Sequence, residues 1–171
     1  MPSQGTISIR PVEITDARRI QQLANHPDIL KHTDLPDPYE PGTAEIWIQN
    51  AVITRAKGDA YECVIELKTD GVIGVCGYID IEASEHSAEM GFWLGRDYWG
   101  NGYGKEACQQ LIAMGLEQFQ LDYITARVYL DNYVSRHLLE SLGFEQMALE
   151  EKIVKDKSNV RSVMHYQLST K

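Results

Sequence analysis

Residues 96–107 read RDYWGNGYGKEA, and the three glycines Gly100, Gly102 and Gly104 stand just where a helical pattern begins. Each glycine costs backbone entropy on folding, so their clustering requires a compensating reason. The first amides of a helix lack internal partners and carry the positive end of its dipole. The loop therefore predicts a site for a phosphate group. A flexible turn in which Gly102 or Gly104 eases tight packing is the alternative.

Two familiar nucleotide-binding patterns are excluded by neighbouring residues. The dinucleotide fingerprint would require a glycine at Lys105. A Walker A loop would require Ser or Thr where Glu106 stands. The loop therefore belongs to another class of phosphate site.

The rest of the chain alternates between a hydrophobic period of two and a helical period. Period two predicts seven strands: Ile7 to a stop at Pro11, Tyr61–Leu67, Val72–Ile81, Ala88–Leu94, YITARVYL, and two strands near Phe144–Val154 and Val160–Leu168 that flank the turn KDKSN. Helical spacing predicts about four helices: one capped by Thr15, one from Thr43, one after the glycines, and DNYVSRHLLESLG with Val134, Leu138 and Leu142 inward. The proline-rich HTDLPDPYEPG predicts a loop. The order predicts an α/β (α+β) fold with a mixed, mostly antiparallel sheet.

Length and composition predict a single domain over residues 1–171, because 171 residues with 43% apolar composition allow one sizeable core. No apolar run approaches the ~20 residues that span a bilayer, and MPSQGTISIR lacks a signal-peptide pattern. A cytoplasmic protein is therefore expected. Cys63, Cys76 and Cys108 are widely spaced among apolar neighbours, which indicates reduced core residues and neither a disulfide framework nor a metal site.

The charge balance restricts the partners. With 16 Lys and Arg against 25 Asp and Glu, the formal net charge is −9. This charge opposes non-specific binding to nucleic acid and to anionic membranes, and it favours a cationic partner.

The stretch AEMGFWLGRDYWGNGYGKEA, followed by NYVSRHLLESLGF, resembles the GCN5-related N-acetyltransferases (GNAT). Within that family it is most similar to the ribosomal-protein N-terminal (RimJ/RimL-like) branch. The resemblance runs from ISIRPVEITDA to VMHYQL. It implies the GNAT fold, a sheet of about seven strands splayed at the middle, and acetyl-CoA as co-substrate without a metal.

The resemblance also implies the residues that hold acetyl-CoA. The family's six loop positions are occupied by Trp99, Gly100, Asn101, Gly102, Tyr103 and Gly104, of which Trp99 departs from the usual Gln or Arg. Loop amides would bind the pyrophosphate, and Lys105 or Arg96 would add charge. The pantetheine arm would lie between the strand of Met90, Phe92 and Leu94 and the strand ITARVYL, and Asn132 would form a hydrogen bond with it.

Acetyl transfer to an amine requires a proton acceptor for the amine and a proton for the leaving thiolate. Glu89 is the first candidate for the acceptor, and Glu66, Glu85 and His86 are weaker ones. Ser135 is the candidate donor, since Leu139 stands where many family members have a tyrosine. The competing interpretation makes Glu89 a surface carboxylate and makes Asn132 and Ser135 helix caps.

The expected function is transfer of acetyl from acetyl-CoA to a primary amine. A peptide or protein N-terminal α-amine is the preferred acceptor. A small cationic amine, such as a polyamine, an amino acid derivative or an aminoglycoside, is the alternative, and a non-catalytic CoA-binding module is a further one. The resemblance implies that Tyr39, Trp47 and the proline loop line the acceptor cleft, since the family places its substrate-selecting segments there. A monomer or homodimer is expected.

Overall fold

The computed structural model describes residues 7–154 and 159–171. The strands in these residues are β1 Ile7–Pro11, β2 Tyr61–Leu67, β3 Gly71–Glu82, β4 Ser87–Leu94, β5 Tyr123–Tyr129, β6 Glu145–Val154 and β7 Asn159–Ser169. The helices are α1 Ala17–Ala24, α2 Pro27–His32, α3 Thr43–Lys57, α4 Tyr103–Gln118 and α5 Tyr133–Ser141, with 3₁₀ turns at Ile14–Asp16 and Arg96–Tyr98. The strands form one seven-stranded sheet in the order β1-β2-β3-β4-β5-β7-β6. Only β4 and β5 pair in parallel among these strands.

The predicted fold class is confirmed, and the turn KDKSN falls almost wholly outside the described residues. One helix was missed in the count of about four. It is α2, where Pro27 occupies the first turn and the His26 Nδ1 atom accepts from the Asp28 amide at 3.1 Å. The prediction that Thr15 caps the first helix is wrong, because Thr15 lies inside a 3₁₀ turn and Asp16 precedes α1.

The core lies on both faces of the sheet. One cluster, which includes Ile65, Cys76 and Leu111, packs between the sheet and α4. The other, which includes Ile20, Ile48 and Val75, packs between the sheet and α1 and α3. All three cysteines are buried and free, as the sequence predicted. No helix in the described part of the chain is long and apolar enough to cross a membrane.

The inward face of α5 differs from the prediction. Val134 is 77% exposed, whereas Leu139 is fully buried, and Leu138 and Leu142 are half-buried. Successive helical residues are about 100° apart, so Val134 lies about 140° around the axis from Leu139. The core contact of Leu139 therefore turns Val134 toward solvent.

Tyr78 of β3 fixes the position of α4. Its hydroxyl donates to the Leu111 carbonyl at 2.8 Å, and both residues are fully buried. A Cβ atom on Gly115 would lie 2.5 Å from that hydroxyl oxygen, so only glycine lets the phenol approach the helix this closely. The glycine loop at the N-terminus of α4 is held through the same contact.

Candidate active site

The site lies where β4 and β5 part. The two strands pair only at Ser87, Ala88 and Glu89 of β4, and the remainder of β4 has no partner in β5. A cavity of about 420 Å³ occupies this opening. It is called the gap pocket here, and its lining residues are 32–36, 90–93 and 126–129 together with Trp47, Glu62, Val75, Ile79, Glu89, Asn132, Ser135, Lys152 and Val163.

The glycine loop follows β4 directly. Gly100 and Gly102 both have a φ of +80°, and a Cβ atom on either would meet nothing within 4 Å. The first hydrogen bond of α4 runs from the Glu106 amide to the Gly102 carbonyl, which leaves the earlier amides without helical acceptors. Open space in front of free amides at a helix N-terminus fits a phosphate group. The Lys105 side chain is exposed beside this space.

Trp99 and Asn101 hold the loop in shape. The Trp99 Nε1 atom donates to the Leu94 carbonyl at 2.9 Å, which joins the loop to the end of β4. The Asn101 amide donates to the Tyr98 and Trp99 carbonyls at 3.3 and 3.2 Å. Arg96 lies 4.6 Å from the centre of the Trp99 ring and pairs with Asp28 at 2.9 Å. The polar groups of Trp99, Asn101 and Arg96 therefore bind other groups of the protein.

Gly104 has a packing role that the sequence interpretation had kept open. It is buried, and a Cβ atom there would lie 3.3 Å from the Leu138 side chain and 3.5 Å from that of Leu94. Its lack of a side chain lets α4 approach α5 and the end of β4. The Tyr103 ring packs against the same core cluster.

Asn132 and Ser135 both line the gap pocket. The Asn132 Oδ1 atom accepts from the Ser135 amide at 3.2 Å, so Asn132 caps α5. This cap uses the amide oxygen of Asn132 and leaves its NH₂ group available. The Ser135 hydroxyl makes no hydrogen bond within the described residues.

Met90, Phe92 and Leu94 lie on the part of β4 that has left β5. Met90 and Phe92 line the gap pocket, and Leu94 accepts the bond from Trp99. The backbone of this segment faces the opening, where an extended ligand can add as a further strand.

Glu89 stands at the last paired position of β4. Its two carboxylate oxygens accept from Arg127 of β5, at 2.8 Å from Nε and 3.1 Å from the terminal nitrogen. The pairing raises the pKa of Arg127. Both residues line the pocket, and their charges offset each other. Glu66, Glu85 and His86 do not line the gap pocket, and Glu66 is bound to Arg10.

A second polar cluster closes another side of the pocket. The Tyr129 hydroxyl donates to Asp34, and Lys152 pairs with Asp34 at 3.4 Å. Burial opposes ionisation of Asp34, but the bonds from Tyr129 and Lys152 hold its pKa below the ordinary value. Burial and the Asp34 contact raise the pKa of Tyr129. Arg161 stacks on the Tyr129 ring at 3.6 Å.

Three parts of the chain were predicted to line a cleft for the amine acceptor. Trp47 and residues 32–36, which belong to the proline loop, line the gap pocket. Tyr39 is 4% exposed and lies in the core beside α1 and α3, so its placement in a cleft was wrong. The His32 Nδ1 atom is buried without a hydrogen-bond partner among the described residues, and burial lowers the pKa of His32.

Glu62 is one of the pocket residues that sequence reasoning missed, together with Arg127, Tyr129 and Lys152. It lies on β2, and burial raises its pKa to about 7. The stretch YECVIEL contained one signal, because Glu62 and Glu66 alternate along the strand with the apolar Val64 and so place charged residues on the same face as an apolar one. That signal was weak, because β2 is followed in the sheet by two more strands before the pocket is reached.

No group of three or more His, Cys, Asp or Glu side chains in the described ranges is arranged to hold a metal ion.

A splayed sheet with a glycine loop and helix at the opening defines an acyltransferase of the GNAT class. The family model described as Acetyltransferase (GNAT) domain matches residues 6–145, and the chain belongs to that family. An uncharacterized N-acetyltransferase, p20 of Bacillus licheniformis, is 32% identical over 95% of this chain and 92% of its own length. The chain is thus an N-acetyltransferase by family.

Two solved structures match the fold. RimL, a ribosomal L7/L12 α-N-protein acetyltransferase solved with coenzyme A, aligns with a TM-score of 0.88 at 18% identity, over 98% of this chain and 96% of its own. Spermidine N-acetyltransferase from Vibrio cholerae, solved with CoA and spermine, aligns with a TM-score of 0.84 at 20% identity, over 97% and 96%. At 18% and 20% identity, these two matches show a shared fold and nothing further.

Proposed function

We propose that this chain transfers an acetyl group from acetyl-CoA to a primary amine, with a peptide or protein N-terminal α-amine as the preferred acceptor. The observation that carries the proposal is the gap pocket, which joins the free part of β4 to the acceptor side beside Trp47. One pocket thereby offers room for an extended thioester arm and for an incoming amine.

The fit of acetyl-CoA rests on the glycine loop. The amides of Gly100, Gly102, Tyr103 and Gly104 would hold the pyrophosphate in the space that Cβ atoms at Gly100 and Gly102 would enter. Lys105 adds a nearby positive charge. Trp99 and Asn101 act by keeping the loop in this shape, through their bonds to Leu94, Tyr98 and Trp99 carbonyls.

When bound, acetyl-CoA supplies an activated acetyl group as its thioester. The amine nitrogen forms a bond to the acetyl carbon while the carbon–sulfur bond breaks, which yields an amide and a thiol. The amine gives up a proton to a base, and the leaving sulfur gains one. Amides of the free β4 segment are available to stabilise negative charge on the carbonyl oxygen.

Ser135 is the proposed donor of the proton to sulfur. Its hydroxyl faces the pocket from the first turn of α5 and makes no described hydrogen bond. Asn132 is proposed to donate its free NH₂ group to the pantetheine arm. Glu89 was predicted to accept the proton of the amine, and that role stays a prediction, since both its oxygens already accept from Arg127.

An α-amine suits the pocket as nucleophile. Its pKa near 8 leaves more of it neutral at physiological pH than a lysine amine with a pKa near 10.4. The likeness to RimL supports an N-terminal acceptor.

A cytoplasmic location is part of the proposal, since three free cysteines suit a reducing compartment. A monomer or homodimer is also proposed.

A small cationic amine is the second candidate. Two of the three carboxylates that line the pocket, Asp34 and Glu89, are paired with Lys152 and Arg127. Glu62 supplies the remaining negative charge. A single unpaired carboxylate can bind one of the ammonium groups of a polyamine, and one protein of this fold with a solved structure is a spermidine N-acetyltransferase.

The experiment is a thiol-release assay with acetyl-CoA and an amine panel. It compares a basic peptide, an acidic peptide with a free α-amine, the same peptides with blocked N-termini, and spermidine, each at low and high salt. We expect the basic peptide with a free α-amine to react fastest, with an apparent affinity that falls as salt rises, because screening shortens the range of charge attraction. Preference for spermidine would favour the second candidate. No turnover with any amine would contradict the proposed function.

A further inference from the structure

A row of small residues leads from Glu62 to the opening between β4 and β5. Glu62 pairs with Gly77 of β3, and Gly77 pairs with Gly91 of β4. Residues directly paired across strands point to the same face of a sheet. The two glycines therefore leave a trough on the face that carries α1 and α3, with Glu62 at one end and the gap at the other.

The Glu62 side chain reaches into this trough. A Cβ atom on Gly77 would lie 2.6 Å from the Glu62 Oε1 atom, so the carboxylate lies directly over Gly77. A Cβ atom on Gly91, in contrast, would meet nothing within 4 Å. Neighbouring strands are about 4.8 Å apart, so the carboxylate lies about one water molecule from the open space above Gly91.

Glu62 is the carboxylate of the pocket that no cation holds. In the described parts of the chain its side chain makes no hydrogen bond or ion pair, and burial alone raises its pKa to about 7. The other charged groups around it are bound elsewhere: Glu89 to Arg127, Asp34 to Tyr129 and Lys152, Arg10 to Asp16 and Glu66, and Arg55 to the Val12 carbonyl. His32 also lines the pocket, and burial lowers its pKa, which favours the neutral ring.

We propose that Glu62 accepts the proton of the acceptor amine, through a water molecule above Gly91, and that the trough over Gly77 and Gly91 admits the amine. The inference rests on the proposed acetyl transfer. The neutral amine nitrogen bonds to the acetyl carbon, and this nitrogen, which then carries a positive charge, gives a proton through the water to the Glu62 carboxylate. The carbon–sulfur bond breaks, and the leaving sulfur takes a proton from Ser135 to become the thiol. The protonated Glu62 then returns its proton to solvent, from which Ser135 recovers its own.

A carboxylate that titrates near neutral pH matches this task, because a base works best when its pKa lies near the working pH. Glu89 differs from Glu62 in its contacts, since both its oxygens accept hydrogen bonds from Arg127. The two carboxylates thus divide into one that makes no hydrogen bond within the described residues and one that is bound to Arg127.

The test compares Glu62→Gln with Glu85→Gln, an equal charge change on an exposed residue outside the pocket. The acceptor is trifluoroethylamine, which stays neutral over the neutral pH range, so that an ionisation seen there belongs to the enzyme. We expect kcat/KM of the wild-type chain to rise through pH ~7, and Glu62→Gln to lower it about 100-fold and remove that rise. The stabilisation by acetyl-CoA should persist in both variants. A Glu62→Gln variant with wild-type kcat/KM and the same pH profile would overturn the proposal.

Two further variants separate the base from the trough. Glu62→Asp keeps a carboxylate but withdraws it from Gly77, so it should recover the pH dependence at a reduced rate. Gly91→Val places a side chain in the trough, where its Cβ atom would meet nothing within 4 Å, so it should raise KM for the amine more than it changes the melting temperature. Unchanged KM in Gly91→Val would exclude the trough as the amine's path. A wild-type chain inert toward every amine would overturn the proposed function itself, and this inference with it.

Discussion

Glu89 and Arg127 form a two-bond ion pair, at 2.8 and 3.1 Å, at the last position where β4 and β5 are paired. The pair connects the strands on both sides of the opening. It stands on the boundary between the closed and the splayed halves of the sheet, so we expect its loss to change the width of the gap pocket.

We expect Glu89→Gln and Arg127→Met to lower kcat/KM by similar factors, because each removes the same contact. The Arg127 side chain is 37% exposed, and water screens the pair, so the coupling free energy in a double-mutant cycle should be only ~0.2–1 kcal/mol. The measurements are denaturant unfolding and steady-state kinetics of both single variants and the double variant. A large loss in Glu89→Gln beside a harmless Arg127→Met would instead make Glu89 the proton acceptor.

Gly102→Val should abolish most of the thermal stabilisation by acetyl-CoA, since the new side chain would stand in the space before the loop amides. Wild-type chain at 100 times Kd should gain ~2.7 kcal/mol. Gly42→Val is the matched control, because Gly42 also precedes a long helix at positive φ with open space around its Cβ position. Both variants pay a similar backbone strain of about 1–2 kcal/mol. Equal ligand-induced shifts in the two would refute the loop assignment.

Ser135→Ala should reduce turnover about 10-fold or more while leaving acetyl-CoA affinity nearly unchanged, if the hydroxyl protonates the leaving sulfur. Folding stability should hardly change, because the cap of α5 uses the Ser135 amide and not its hydroxyl. Ser141→Ala, on the same helix and bonded only to the Leu138 carbonyl, serves as the control. Turnover equal to that of the control would leave Ser135 with no chemical role.

Glu62→Gln should become more stable relative to wild type as pH rises. Burial raises the folded-state pKa of Glu62 to about 7, above the ~4.3 of an unfolded glutamate. The folded wild-type chain therefore binds this proton more tightly than the unfolded chain does. Proton binding stabilises the wild-type fold fully below the unfolded-state pKa, and this stabilisation is lost as pH rises through about 7. The difference in unfolding free energy between the two chains should change by about 2 kcal/mol from pH 5 to pH 8. Denaturant unfolding at both pH values measures it, and a difference independent of pH would show an ordinary pKa for Glu62.

The features that sequence analysis predicted are mostly local. Three glycines before a helical pattern indicated the loop, and alternation along each strand indicated the seven strands. Asn132 at the start of α5 was equally visible as a cap, whereas its contact with the cofactor was implied only by the family resemblance and stays a prediction. Short-range patterns of this kind depend on neighbours in the chain, which the sequence displays directly.

The features that the sequence analysis did not predict depend on strand register and on the rotation of helices about their axes. The trough over Gly77 and Gly91 exists only because β2, β3 and β4 pair in one particular register. The contact of Glu89 with Arg127 joins residues 38 positions apart. Tyr39 was assigned to the cleft because the family resemblance places substrate-selecting segments in that region, but its ring packs in the core with residues of α1 and α3.

The contact of Tyr78 with α4 has a consequence far from where it occurs. Twelve helical residues separate Gly115 from Tyr103, a distance of ~18 Å along the axis. A single methyl group on Gly115 would push against the Tyr78 hydroxyl, and a rigid helix would pass that displacement to the loop at its other end. Substitutions at Tyr78 or Gly115 are therefore expected to weaken the measured affinity for acetyl-CoA, although neither residue lines the gap pocket.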